Sequence, residues 1–595
     1  MKSLKRLFTF VMPYRLRFSL SMFFSMLYTL SRASQPFIIG LALSSLNMTF
    51  SAGVGVDFEY MKFIIILLIT TSLFDAIGEY LANYLLADVV QSSMFDIRKT
   101  INQKLNKLPV SYIDSKHQGD LLTRITTDVD VVSNALQQGT LKIIGSGLTL
   151  VFSVIFMFIR APFFALIALL IFPTCFFVYR YFIRKSQPLF NNLQNSLGDL
   201  NGFTTEHYTG YEVIQLYGQE EHVNEKFQVI AEEIKDTGFK SNFTASLISP
   251  ILSHIANLFY IALFLLMGLT VLNGPLVIAG ITVAKAVDVG ILQSFIQYIW
   301  QSSGPIKDFA QLSNTFQAAA ASLKRMFELL DAEEEEPIQD NNKIDLNNIK
   351  GNISFNHISF GYSEDNLLMK DIDVDVKSGD TVAVVGPTGA GKTTLINLLM
   401  RFYDVNGGSI TIDGYDVKEL SKAQSRSLFG MVLQDPWLYY TSVMENIRFG
   451  NLNATDQEVI EAAKMANVHH FIRTLPQNYE TVLNEESSNV SQGQKQLITI
   501  ARALVGNPQI VILDEATSSV DTRLELLIQK AMAKAMEGRT SFIIAHRLST
   551  IKDADLILVM NQGSIVEQGN HEQLLAKGGM YKTLYNAQFS EEEEA

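Results

Sequence analysis

At 595 residues the chain is longer than one hydrophobic core usually organises, so at least two domains are expected. A formal net charge of -13 argues against a nucleic-acid partner, since phosphate backbones demand clustered Lys and Arg. The one cysteine, Cys175, lies inside an apolar run and excludes an internal disulfide framework or a cysteine-based metal site.

Composition divides the chain near residue 330. Long Phe/Ile/Leu/Val runs dominate before it; charge, Gly and short alternating segments follow, as in a soluble α/β domain. Residues 1–17 are basic and amphipathic and read as a helix lying on the cytoplasmic leaflet rather than a cleavable signal. Six stretches reach the ~20 mostly apolar residues that cross a hydrocarbon core: 18–41, 61–86, 140–159, 163–182, 248–272 and 276–300. The gaps after the second and fourth are long and polar, and the helical patterns run on through them, which implies two long intracellular hairpins. Lys and Arg collect at the N-terminus (Lys2, Lys5, Arg6, Arg15, Arg17), after the second stretch (Arg98, Lys99, Lys104, Lys107) and after the fourth (Arg180, Arg184, Lys185). The positive-inside rule then puts both termini in the cytoplasm of a multi-pass plasma-membrane protein.

Ionisable residues inside spans are costly and usually face the bundle interior or water. Arg32, and Asp75 and Glu79 one helical turn apart, are candidates for lining a cavity that binds amphipathic, cationic substrates; the alternative is that they pair with one another. Lys285 and Asp288, three residues apart, read better as a pair or as snorkelling groups. Aromatics such as Phe23, Tyr28 and Phe295 suit a polyspecific hydrophobic site or lipid contact, with lipid contact the default for most of them. Acidic runs at Glu333–Glu336, within a linker over 331–350, and in the tail over 591–595 read as solvated segments.

Over residues 351–590 the pattern is that of an α/β domain. The buried-strand segment 381–385 leads into Gly386, Pro387, Thr388, Gly389, Ala390, Gly391, Lys392 and Thr393, with Thr394 opening a helical run. This is the P-loop pattern: its glycines let backbone N–H groups curl around phosphates at a helix N-terminus, Lys392 reaches the β- and γ-phosphates of ATP, and Thr393 ligates Mg²⁺. An apolar strand over 510–513 ends in Asp514 and Glu515. There Asp514 suits Mg²⁺ through water and Glu515 is placed to polarise an attacking water.

With these motifs in order over essentially its whole length, the chain resembles an ABC exporter half-transporter of the multidrug type. The resemblance implies a six-span α-helical transmembrane domain over 1–330, with long intracellular hairpins, followed by an α/β P-loop ATP-binding domain. It assigns Tyr362 to adenine stacking, Gln434 to Mg²⁺ and attacking water, His546 to the γ-phosphate and Asp521 to the D-loop. It also marks 108–114 and 209–218 as coupling segments. Where the family's signature reads Leu-Ser-Gly-Gly-Gln, this chain has Val490, Ser491, Gln492, Gly493 and Gln494. The altered glycine is either harmless variation or the mark of a heterodimer in which the signature of this chain serves a degenerate site. The expected activity is ATP hydrolysis driving export of hydrophobic or amphipathic compounds, with a second half-transporter as partner. The alternatives are a homodimeric lipid or lipid-linked flippase and an ATP-gated channel or regulator.

Overall fold

The computed structural model describes residues 2–51, 53, 55–116, 118–278, 281–284, 287–335, 346–363, 366–484, 489–514, 522–544 and 551–589. Two compact units divide the chain: Met1–Lys107 with His117–Glu333, and Leu108–Lys116 with Glu334–Ala595.

The first unit is helical. An amphipathic helix, Lys2–Val11, buries Leu7 and Val11, and Arg6 reaches Asp331 at 2.5 Å. Six long helices follow: α1 Arg15–Ser51, α2 Phe58–Leu105, α3 Gly119–Arg160, α4 Pro162–Thr209, α5 Glu220–Asn273 and α6 Val289–Leu330. At 1.5 Å per residue the 48 residues of α2 extend about 70 Å, more than twice a ~30 Å hydrocarbon core. Its exposed face carries Phe63, Ile65, Ile66, Ile69 and Leu73, which suits lipid and not water.

Among the described residues, α2 to α5 are apolar enough by themselves to cross a membrane. Helices α1 and α6 are long enough, but Arg32 and Gln35 in one and Gln297 and Gln301 in the other make them more polar, and they pack against each other. Pro36 cannot return an N–H to the carbonyl of Arg32. Side chains of α6 bond to the α1 backbone around it: Tyr298 Oη donates to Ala33 O at 3.1 Å, Ser294 Oγ to Pro36 O at 2.9 Å and Gln301 Nε2 to Arg32 O at 3.5 Å. A Cβ at Gly290 would overlap the carbonyl oxygen of Gly40, so the two backbones approach as closely as only glycine allows.

The onset of the sixth helix corrects the sequence expectation. Leu276–Ile278 and Ile281–Ala284 pair as antiparallel strands, and α6 starts only at Val289. The run is rich in Val, Ile and Thr, and an apolar run of that kind cannot be assigned to helix by periodicity alone. Asp288 is the N-cap of α6: its Oδ1 accepts from Ile291 N at 2.8 Å and from Ser44 Oγ at 2.7 Å. Its role here is that of a cap; Lys285, its expected partner, lies outside the described residues.

Among its described residues the second unit holds two sheets. Strand β1 Ile353–Phe360 pairs antiparallel with β2 Met369–Val376. The main sheet contains β3 Thr381–Val385, β4 Phe429–Val432, β5 Ile510–Asp514, β6 Thr540–Ile544, β7 Leu556–Asn561 and β8 Ser564–Gly569, in the spatial order β8-β7-β3-β6-β5-β4. All but β8 are parallel. Alternate residues of β3 serve opposite layers. Val382 and Val384 pack with Ile353, Phe355 and Ile358, while Ala383 and Val385 pack with Leu497 and Ala501. A parallel sheet covered on both faces leaves its C-terminal edge as the place for a ligand.

Candidate nucleotide site and membrane cavity

Strand β3 runs directly into the glycine-rich loop, and helix α7, Lys392–Leu399, starts behind it. Gly386 sits at φ 153°, where a Cβ would overlap the carbonyl oxygen of Met560, and Gly391 caps α7 at φ 101°. Only glycine holds this path without strain, and the path presents the first N–H groups of α7 outward. Pro387, Thr388, Gly389 and Thr393 are exposed, whereas Ala390 and Thr394 are buried. Lys392 Nζ donates to Gly386 O at 2.7 Å and Pro387 O at 3.1 Å, so the ammonium stays over the loop. Burial pulls its pKa below the ordinary lysine range, opposed by the charge of Asp514.

That influence follows from the sheet register. Ile544 of β6 is paired with both Val384 of β3 and Asp514 of β5, so loop and carboxylate end at one edge, a strand apart. Gln434 is exposed two residues past Val432, whose partner in β5 is Leu513, and belongs to the same edge. Thr393, Gln434 and Asp514 are hard oxygen donors, and among the described residues no three His, Cys, Asp or Glu converge. Such a donor set fits Mg²⁺, which keeps waters and leans on substrate phosphates rather than on a closed protein cage. Glu515, Asp521 and His546 lie outside the described residues.

Tyr362, the expected adenine platform, is 59% exposed, and its hydroxyl lies 2.9 Å from Thr394 Oγ1. Its ring meets Tyr403 edge-on at 5.2 Å. Tyr403 was not marked by any sequence motif. Its hydroxyl donates to Asp114 Oδ2 at 2.7 Å, and burial together with that carboxylate pushes the phenol well up. Asp114 ends the short helix Val110–Asp114, within the expected first coupling segment. Three contacts in series, Thr394–Tyr362–Tyr403–Asp114, thus join the P-loop helix to that segment inside one unit.

At the signature, Ser491 is the N-cap of α8, Gln492–Val505. Ser491 Oγ accepts from Gln494 N at 3.4 Å while Gln494 Oε1 accepts from Ser491 N at 2.8 Å, a closed capping box. Gln492 is the first helical residue, exposed and without positive φ, and Gly493 behind it is buried. The backbone at 492 does not need glycine, so the substitution adds a polar side chain without deforming the helix start.

In the first unit the three intramembrane ions meet. Arg32 Nη2 lies 3.0 Å from Asp75 and 2.7 Å from Glu79, with its guanidinium 5.4 Å from the Tyr28 ring. Arg32 and Glu79 line a cavity of about 620 Å³ together with Lys142, Ser146, Gln301 and Asp308. Arg32 and Glu79 are thus both ion-paired and cavity-lining, whereas Asp75 pairs with Arg32 and is not part of the lining. Lys142, Ser146, Gln301 and Asp308 escaped sequence reasoning because they flank or punctuate apolar runs as any helix end does.

Residues 18–305 match the family described as ABC transporter transmembrane region, and 369–518 the family described as ABC transporter. The chain is 42% identical over 545 residues to a fatty acid ABC transporter ATP-binding/permease protein of Mycobacterium tuberculosis, covering 92% of this chain and 84% of that one. It is 32% identical over 588 residues to an ATP-dependent lipid A-core flippase of Syntrophus aciditrophicus, covering 99% and 95%. Among solved structures, a bacterial Atm1-family ABC exporter with ATP bound superposes with a TM-score of 0.74 at 26% identity, over 97% of this chain and 98% of that one.

Proposed function

Because the chain belongs to the ABC exporter family, a membrane domain joined to an ATPase that powers transport, we propose that it exports amphiphiles carrying a polar headgroup. The observation that carries this reading is the cavity lined by Arg32, Glu79, Lys142, Asp308 and amides. Charged and amide groups are costly among membrane helices unless a cavity uses them. Relatives named for fatty acid and lipid A-core point the same way. Purely apolar multidrug cargo has less use for such a lining.

In the proposed reaction, water attacks the γ-phosphate of ATP held by the loop 386–393 over Tyr362. Glu515 orients the water, and Lys392 and His546 stabilise the charge that develops on the γ-phosphate, where electrostatic positioning supplies most of the acceleration. Mg²⁺ held by Thr393, Gln434 and, through water, Asp514 would neutralise phosphate charge. The ATP-binding domain and both termini face the cytoplasm, in keeping with the basic flanks of the spans.

ABC exporters act as dimers. A second reading, favoured by Gln492, is a heterodimer in which this chain supplies Glu515 to the competent site and its altered signature to a degenerate one. Steady-state ATPase of the chain purified alone in nanodiscs, with its mass determined in parallel and Glu515→Gln beside it, separates the two. Robust activity from a homodimer, lost in the variant, contradicts the heterodimer. Activity that appears only on co-expression with a second half-transporter supports it.

A further inference from the structure

The cavity in the first unit distributes its charges unevenly. Arg32 is spent on Asp75 and Glu79, at 3.0 and 2.7 Å. Lys142, exposed on α3, has no acid within ion-pair distance among the described residues. Among the described residues, Asp308 on α6 is held by the hydroxyl of Ser146, which donates to its Oδ2 at 2.6 Å. Ser146 lies one helical turn after Lys142, so the ammonium and the carboxylate border the same space without closing on each other.

Two further features extend the acceptor side. Pro305 lines the cavity and cannot return an N–H to the carbonyl of Gln301, one turn earlier, which leaves that backbone oxygen without its helical partner. Counting the Arg32 cluster, two cations stand against three carboxylates among the described residues. A ligand with a single negative charge would answer Lys142 and leave Asp308 facing it, and a cation would do the reverse. A headgroup bearing both charges answers both.

We propose that this cavity holds the headgroup of a zwitterionic amphiphile, its anionic group on Lys142 and its ammonium, with N–H donors, on Asp308. The chemistry is that of a phosphoethanolamine head, and the proposal rests on the exporter reading above.

The test is ATP-dependent movement of acyl-chain-labelled phosphatidylethanolamine, phosphatidylglycerol, phosphatidylcholine and oleic acid in proteoliposomes of the full transporter. The readout is the ratio of phosphatidylethanolamine to phosphatidylglycerol transport by the same sample, which a partly folded preparation leaves unchanged. The expected ratio is above about 5 for the wild type. It falls toward 1 in Lys142→Gln and in Asp308→Asn, is kept in Lys142→Arg and recovers in part in the exchange Lys142→Asp with Asp308→Lys. Phosphatidylcholine, whose quaternary ammonium offers no N–H, is moved less than phosphatidylethanolamine. Equal transport of all four, or a ratio insensitive to both single variants, overturns the zwitterion assignment and leaves the exporter reading standing. No ATP-dependent movement of any lipid overturns both.

Discussion

The two units treat charge in opposite ways. In the second unit, charged groups stand at strand ends and helix starts beside water: Asp514 at the end of β5, Lys392 at the head of α7, and the surface pair Lys464 and Glu461 at 2.7 Å. In the first, Arg32, Asp75 and Glu79 are locked together between α1 and α2, with Asp75 only 18% exposed. Ions beside water cost little to hold, whereas ions between apolar helices persist only if partnered. The teaching is that the second unit exposes its chemistry, while the first hides most of its charge and leaves two groups, Lys142 and Asp308, without a counter-ion among the described residues.

The largest effect on this comparison comes from the exposed side. Lys392→Ala removes the ammonium held over the loop and is expected to lower ATP hydrolysis at least ~100-fold while the melting temperature stays put. Next comes the hidden side. Arg32→Gln leaves Asp75 and Glu79 facing each other and costs about 2 kcal/mol, less than a fully buried pair because Arg32 is 40% exposed. Thermal unfolding in detergent reads this, and Lys464→Ala as the surface control shifts stability by less than ~0.5 kcal/mol. Equal shifts in the two variants would erase the distinction between the units.

Gly290→Ala tests the close approach of α1 and α6. The added methyl forces the backbones apart at about 1–2 kcal/mol, visible as a lower melting temperature. Tyr403→Phe has a smaller effect, ~1 kcal/mol for the lost bond to Asp114. ATP affinity is kept and transport per ATP hydrolysed falls; a proportional fall in both would show Tyr403 to be merely structural. The smallest concerns pH. The hydrogen bond to Asp371 raises the pKa of His357 above its ordinary 6.5. Its contribution is fully present below that value and fades as pH rises through the raised one, so Asp371→Asn flattens the pH dependence of melting from the ordinary histidine value upward.

Legibility followed the same division. The loop 386–393 can be read because its chemistry is contiguous: glycines, lysine and threonine are neighbours in sequence, and β3 before them is an unbroken apolar run. Arg32, Asp75 and Glu79 were visible as costly ions, but the pairing depends on how α1 meets α2, which no local pattern encodes. Tyr403 carries no motif, since its role arises from contacts distant in sequence, with Tyr362 and Asp114. The start of α6 was misplaced because the Val/Ile/Thr run before it satisfies strand and helix alike, although Asp288 ahead of Val289 was a readable cap.

The account stands on ATP hydrolysis in one unit moving an amphiphile through the other. The most direct measurement is the ATP-dependent flux of a labelled phospholipid in proteoliposomes, wild type beside Glu515→Gln. The account predicts flux that requires ATP and disappears in the variant while ATP still binds. Flux that persists in the variant, or in the absence of ATP, would contradict it.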